Sequence, residues 1–267
     1  MGYRNILLHL DEHDDAARLA PFFALAHDLG AQELTVVAAT GVTKPLTELP
    51  IGPGPLLTRE AEFRDEMRRL KERSVGVGCG FRLEWRSDVV ADPTAFVLAQ
   101  VARSDLVMVR RGGDTDRGLG PLDLERIVFG AGRPTLVASQ TWNYERLRHV
   151  LVAYKAGREA RLVVVAALPL LQLADKVLVV GLGDESTTDD LADVVAHLGC
   201  HGVFAEARHV PHKGPASASA LIDAAQAAHC GAIVCGAYRH GRVTERLFGG
   251  VTRDLLIRSP LPCLMVH

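Results

Sequence analysis

The segment that begins at residue 236 carries the residue types best suited to holding an anion. It reads Gly236-Ala-Tyr-Arg-His-Gly-Arg-Val-Thr-Glu-Arg-Leu-Phe-Gly-Gly-Val-Thr-Arg-Asp254. An apolar run over 232–235 leads into it, and Gly249-Gly250 open a helix expected to start near Val251. Free N–H groups at a helix start, aligned with the helix dipole, favour phosphate, and glycines let backbone approach it closely. Thr252 adds a hydroxyl donor. Arg239, His240 and Arg242, with Gly241 between the last two, place cationic or titratable groups on the same loop. Spacing alone leaves a second reading open, in which Gly249-Gly250 is only a turn and Thr252 only a helix cap.

Other candidates carry less chemistry. Gly181-Leu-Gly183-Asp-Glu-Ser186 imitates a dinucleotide fingerprint, but Ser186 stands where the third glycine belongs, so the glycines read as turn formers. Gly76-Val-Gly78-Cys-Gly80 has the wrong spacing and precedes a strand. There is no Walker A sequence and no Gly-x-Ser-x-Gly elbow. Histidines and cysteines gather late (Cys200, His201, His209, His212, His229, Cys230, Cys235, His240) without paired C-x-x-C spacing. They read as core thiols and surface imidazoles, and no metal is expected beyond magnesium accompanying a nucleotide. No nucleophile–base pair or carboxylate dyad is visible. Residues 58–73 mix charges at helical spacing, with Phe63, Met67 and Leu70 as an apolar stripe that packs on a sheet.

The elements that must position these residues follow from composition and pattern. The chain has 267 residues, 48% apolar and 23% charged, with net charge −2, enough for one large domain or two of ordinary size. A pI near 6.6 argues against a nucleic-acid partner, which selects for a basic face. The longest apolar stretch, 162–171, is too short for a membrane span, which needs roughly 20 residues. The N-terminal sequence lacks the layout of a secretion signal, and Ile6 stands where myristoylation wants Ser or Thr. Five cysteines in no framework spacing are expected to be reduced thiols in a cytoplasmic protein.

The chain also repeats. Arg4-Asn-Ile-Leu-Leu-His-Leu10 parallels Arg148-His-Val-Leu-Val-Ala-Tyr154 at an offset of 144, and Arg133-Pro-Thr-Leu-Val137 parallels Leu261-Pro-Cys-Leu-Met265 at 128. The first half is thus about 16 residues longer, a surplus expected in the proline-rich loop over 43–55. Two domains are expected, 1–143 and 144–267. Strands are expected over 5–10, 34–39, 81–86, 106–109 and 135–138, then 150–154, 176–180, 202–207, 232–235 and 263–266. Helices fall between them over 14–29, 58–74, 93–102 and 122–130, then 158–173, 187–198, 216–229 and 251–257. Residues 162–165 alone leave a buried strand open as an alternative to helix. His9 and Met108 read as core. Continuously apolar strands alternating with helices predict a parallel, doubly wound α/β sheet in each half.

With its tandem βα repeat, the 236–254 loop and the closing Ser259-Pro-Leu-Pro-Cys-Leu-Met-Val-His267, the whole chain resembles the universal stress protein family, as two fused units. The resemblance implies two repeated doubly wound domains of the adenine nucleotide alpha hydrolase-like kind, each a five-stranded, mostly parallel sheet flanked by helices. Many members bind ATP after the fourth strand through a pattern of Gly, two residues, Gly, nine residues, Gly, then Ser or Thr. Here Gly236 and Gly249 match, while Arg239 replaces the second glycine and Gly250 the hydroxyl residue. The family's acidic residue after the first strand is matched by Asp11 and replaced by Lys155 in the second half. In the first half, Arg110 stands opposite Gly236, and Pro121-Leu122 stand opposite Gly249-Gly250.

The resemblance therefore implies a non-enzymatic, adenine-nucleotide-responsive or protein-interaction module in the stress response, with at most one nucleotide site. That site comprises Gly236, Arg239, His240, Gly241, Gly249, Gly250, Val251 and Thr252. The alternatives are slow ATP hydrolysis or phosphotransfer at that loop, and a regulator with both sites lost. Members also pair through their final strands, which implies an intramolecular pseudo-dimer with Leu136 and Leu264 near its axis, and a further homodimer.

Overall fold

The computed structural model describes residues 2–10, 16–41, 54–75, 80–112, 122–139, 142, 144–183, 186–211, 217–237 and 250–267. The element order is β1 (Asn5–Leu10), α1 (Ala16–Asp28), β2 (Glu33–Gly41), α2 (Gly54–Val75), β3 (Arg82–Val90), α3 (Pro93–Gln100), β4 (Leu106–Arg110), α4 (Leu124–Gly130) and β5 (Thr135–Ala138). The second half repeats it: β6 (His149–Ala153), α5 (Arg158–Leu171), β7 (Lys176–Leu182), α6 (Thr188–Cys200), β8 (Ala205–Val210), α7 (Ala218–Ala227), β9 (Ala232–Gly236), α8 (Gly250–Arg258) and β10 (Cys263–Val266). The proline-rich stretch lies outside the described residues except for Gly54 and Pro55, which form the first turn of α2; proline suits that place because its missing N–H would go unpaired there. The segment over 162–165 is helix, inside α5.

Each half runs in doubly wound order, and the two blocks join edge to edge into one ten-stranded sheet, β3-β2-β1-β4-β5-β10-β9-β6-β7-β8. Every pairing is parallel except the join, where β5 and β10 run antiparallel with Leu136 directly opposite Leu264. Two buried layers explain why the strands are apolar on both faces. Leu8, Val36, Met108, Val152 and Val179 pack under α1, α2, α5 and α6. Leu7, Val37, Val107, Leu151 and Ile233 pack under α3, α4, α7 and α8. The helices present matching stripes. Phe22, Leu25, Ala26 and Leu29 in and just beyond α1, and Phe63, Met67 and Leu70 in α2, recur at three- and four-residue spacing and are all buried. His9 is 3% exposed and Met108 fully buried, both core as the sequence predicts.

Side chains stitch the join on both faces. Under α1 and α5, the Tyr3 hydroxyl donates to the Ala166 carbonyl, and the Tyr144 hydroxyl to the Asp28 carboxylate. On the other face, Arg111 crosses to α8, donating to the carbonyls of Leu255 at 3.1 Å and Ser259 at 2.7 Å. Arg253 and Glu125, which occupy equivalent places in the repeat, face each other at 3.5 Å. Because the join is antiparallel, the carboxyl ends of the strands in the two halves lie at opposite ends of the sheet.

Candidate functional site

In open α/β sheets, ligands bind beyond the carboxyl ends of strands, where strand order reverses. The first half reverses between β1 and β4, the second between β6 and β9. The second-half crevice is shaped by two turns. Leaving β6, the chain passes through Tyr154, Lys155, Ala156 and Gly157 before α5. Ser186 locks that turn: its hydroxyl donates to the Tyr154 carbonyl at 2.8 Å and accepts from the Ala156 N–H at 3.2 Å. The sequence showed Ser186 only as a missing glycine, whereas it is buried and holds the loop that carries Lys155. The nearby glycines are structural. Gly181 is the penultimate residue of β7, and a Cβ there would come within 3.1 Å of Leu191, while Gly183 takes a left-handed φ of 57°.

The other wall of the crevice is the end of β9. Gly236 is its last residue, paired with Val266, and the Ala237 N–H donates to the Val266 carbonyl at 2.7 Å. The His267 ring meets the Ala237 carbonyl at 3.0 Å and packs edge-on against Phe129, with centroids 4.7 Å apart. Helix α8 opens at Gly250, one residue before the sequence-predicted start. A Cβ placed on Gly250 would meet none of the described atoms within 4 Å. Val251 is half-buried and Thr252 is 3% exposed. The structure thus brings Gly236, Gly250, Val251 and Thr252 onto the end of β9 and the first turn of α8. Arg239, His240, Gly241 and Gly249 lie outside the described residues.

The first half fills the same places. Arg110 ends β4 opposite Ala138 and is 8% exposed. Its guanidinium donates to the Arg18 carbonyl at 2.5 Å and stands 5.1 Å over the Phe22 ring. That geometry combines a charge-assisted hydrogen bond with a cation–π contact. At the start of α4, the Asp123 carboxylate caps the helix, accepting from the Arg126 N–H at 3.0 Å. The Asp123 N–H donates in turn to the Thr94 hydroxyl at 3.0 Å. A carboxylate from the chain therefore occupies the anion-favouring position. The equivalent residue in α8 is Val251, which has no carboxylate to give. An Asp directly before an apolar helical run is a sequence-level cap signal that finds Asp123. Asp11 and Pro121 lie outside the described residues, and Leu122 is buried.

Thiols near the join are unreactive by environment. Burial raises the Cys235 thiol well above its usual range and pushes Cys263 up to about 11. Burial likewise lowers Arg111 from the usual arginine value. Among the described residues, Cys200, Cys230, Cys235 and Cys263 are free thiols, and no group of three or more His, Cys, Asp and Glu is placed to hold a metal. No helix among them is long and apolar enough to cross a membrane.

Comparison with solved structures identifies this architecture as the universal stress protein fold. A universal stress protein from Archaeoglobus fulgidus DSM 4304 superposes with a TM-score of 0.74 at 14% identity, covering 98% of this chain and 95% of that one. A putative universal stress protein from Pseudomonas aeruginosa UCBPP-PA14 matches at 0.63 and 14% identity, over 99% and 93% of the two chains. A functionally unknown protein from Pseudomonas aeruginosa PAO1 matches at 0.62 and 16% identity, over 99% and 92%. No protein-family model matches the chain, and no curated protein matches it in sequence.

Proposed function

We propose that the chain is a tandem universal stress protein, built of domains 1–143 and 144–267, that acts as a non-enzymatic module responsive to an adenine nucleotide. Its nucleotide site, at most one, lies in the second half, over Gly236, Arg239, His240, Gly241 and Gly249 to Thr252. The observation that carries this reading is the contrast between the two crevices. In the first half Arg110 and Asp123 fill the cradle. In the second half Gly236 and Gly250 bring no side chain to the corresponding places, and Lys155 brings a cation to the facing turn. A phosphate at the α8 start would be held by helix N–H groups and the dipole. Among the described residues no acid–base or nucleophilic pair stands there to drive turnover.

The test is calorimetry with magnesium ATP on the full chain. Wild type is expected to bind one equivalent, and Gly250→Val to bind none, because the new side chain crowds the phosphate approach, while its Cβ meets none of the described atoms within 4 Å. Undiminished binding by Gly250→Val, or a photoreactive ATP that labels the first half, refutes the site. ATP turnover is expected far below the roughly 10 s⁻¹ typical of enzymes, and turnover in that range refutes the non-enzymatic reading.

A further inference from the structure

Helix α6 ends in a pair of imidazoles that neither the fold nor the nucleotide site uses. His197 lies in its last turn and His201 is its C-cap, four residues on, so both project from one face. Both are exposed, and their ring centroids are 4.8 Å apart with planes at 65°. Among the described residues neither ring has a hydrogen-bond or ion-pair partner.

We propose that His197 and His201 form a two-imidazole chelate for a late first-row divalent cation of the zinc class. The separation of the rings carries this. With metal–nitrogen bonds of about 2.0–2.1 Å and ring centres about 1.15 Å behind their nitrogens, two imidazoles on one ion have centroids about 4.5–5.2 Å apart, from a right-angled to a tetrahedral arrangement. The observed 4.8 Å falls inside that window. Imidazole nitrogen suits zinc, copper and nickel rather than calcium or magnesium. The position adds to the attraction, because the negative end of a helix dipole favours a cation. Asp193, one turn earlier on the same face, contributes a negative charge. Two protein ligands leave the remaining positions to water, which makes this an open surface site. His197 stands outside the His/Cys cluster that the sequence alone singles out, because its partner is found only through helical spacing.

Zn²⁺ alone is the probe, titrated calorimetrically into the full reduced chain. Wild type is expected to bind one equivalent at this pair. His197→Gln and His201→Gln should each weaken that event at least about tenfold, since even changes behind the ligands cost 10–100-fold. Both side chains are exposed, so the variants should fold as wild type does, checked by circular dichroism without zinc. Cys200→Ser should leave binding unchanged, separating the chelate from the neighbouring thiol. Absence of a Zn²⁺ event with Kd below about 1 mM overturns the proposal. So does binding that survives both histidine substitutions together, or that is lost in Cys200→Ser.

Discussion

Arg110 and Gly236 hold the same place at the ends of β4 and β9, yet one carries a guanidinium and the other has no side chain. The Arg110 guanidinium folds back over Phe22 to an α1 carbonyl. In the same half, Asp123 satisfies the start of α4. The two changes act together: a buried cation and a capping carboxylate replace the ligand that such a cradle would hold. Gly236 and Val251, at the equivalent places in the second half, supply neither group.

The halves are also unequal in what they give each other. Arg111 of the first half caps the end of α8, whereas its equivalent, Ala237, has no side chain that can reach α4. Three changes test these differences. Met265→Pro strikes the join itself, because Met265 pairs with Thr135 on one side and Cys235 on the other. It should cost the most of the three, because proline removes a ladder hydrogen bond and does not suit a central strand, read as a fall in urea midpoint. Arg111→Met removes two charge-assisted hydrogen bonds to α8 and should cost about 1.5–3 kcal/mol. The loss should appear first as faster amide exchange in the last turn of α8, and unchanged exchange there would show that the cap does not hold the helix. Asp123→Ala should cost about 1 kcal/mol, and it leaves the start of α4 without its capping carboxylate. Because Arg110 still fills the crevice, the variant is expected to gain no nucleotide binding; a second equivalent of ATP bound would show that the cap alone closes the first site.

Much of the fold was legible because burial on both faces writes a strand as an unbroken apolar run. The limits of β1, β5 and β10 agree residue for residue with that pattern. The outermost strands were harder to place. β8 begins three residues later than the apolar pattern suggests, since Gly202, at φ 74°, is still turning the chain out of α6. β3 runs on to Val90 through Asp88 because one face of an edge strand tolerates charge. The repeat made the Arg110–Gly236 substitution visible without coordinates. It did not show where the guanidinium goes, nor that Arg111 reaches a helix nearly 150 residues further along the chain. Such contacts leave no period in a sequence. Ser186 was missed for the same reason: its role depends on a loop about 30 residues away.

The strand order leaves β3 and β8 as the outer rows of the sheet. Their sequences, Arg-Leu-Glu-Trp-Arg-Ser-Asp-Val-Val and Ala-Glu-Ala-Arg-His-Val, place ionic side chains along both borders. Glu84 is bound by Arg86 at 2.8 Å, and Glu206 by Lys176 at 2.7 Å. The apolar strands β5 and β10 are spent on one another at the centre. Any strand added from outside would have to lie beside those charges and desolvate them. The antiparallel join thus does more than unite two copies. It turns the sticky borders inward and the charged ones outward, so the sheet ends at ten strands and does not template its own extension into fibrils.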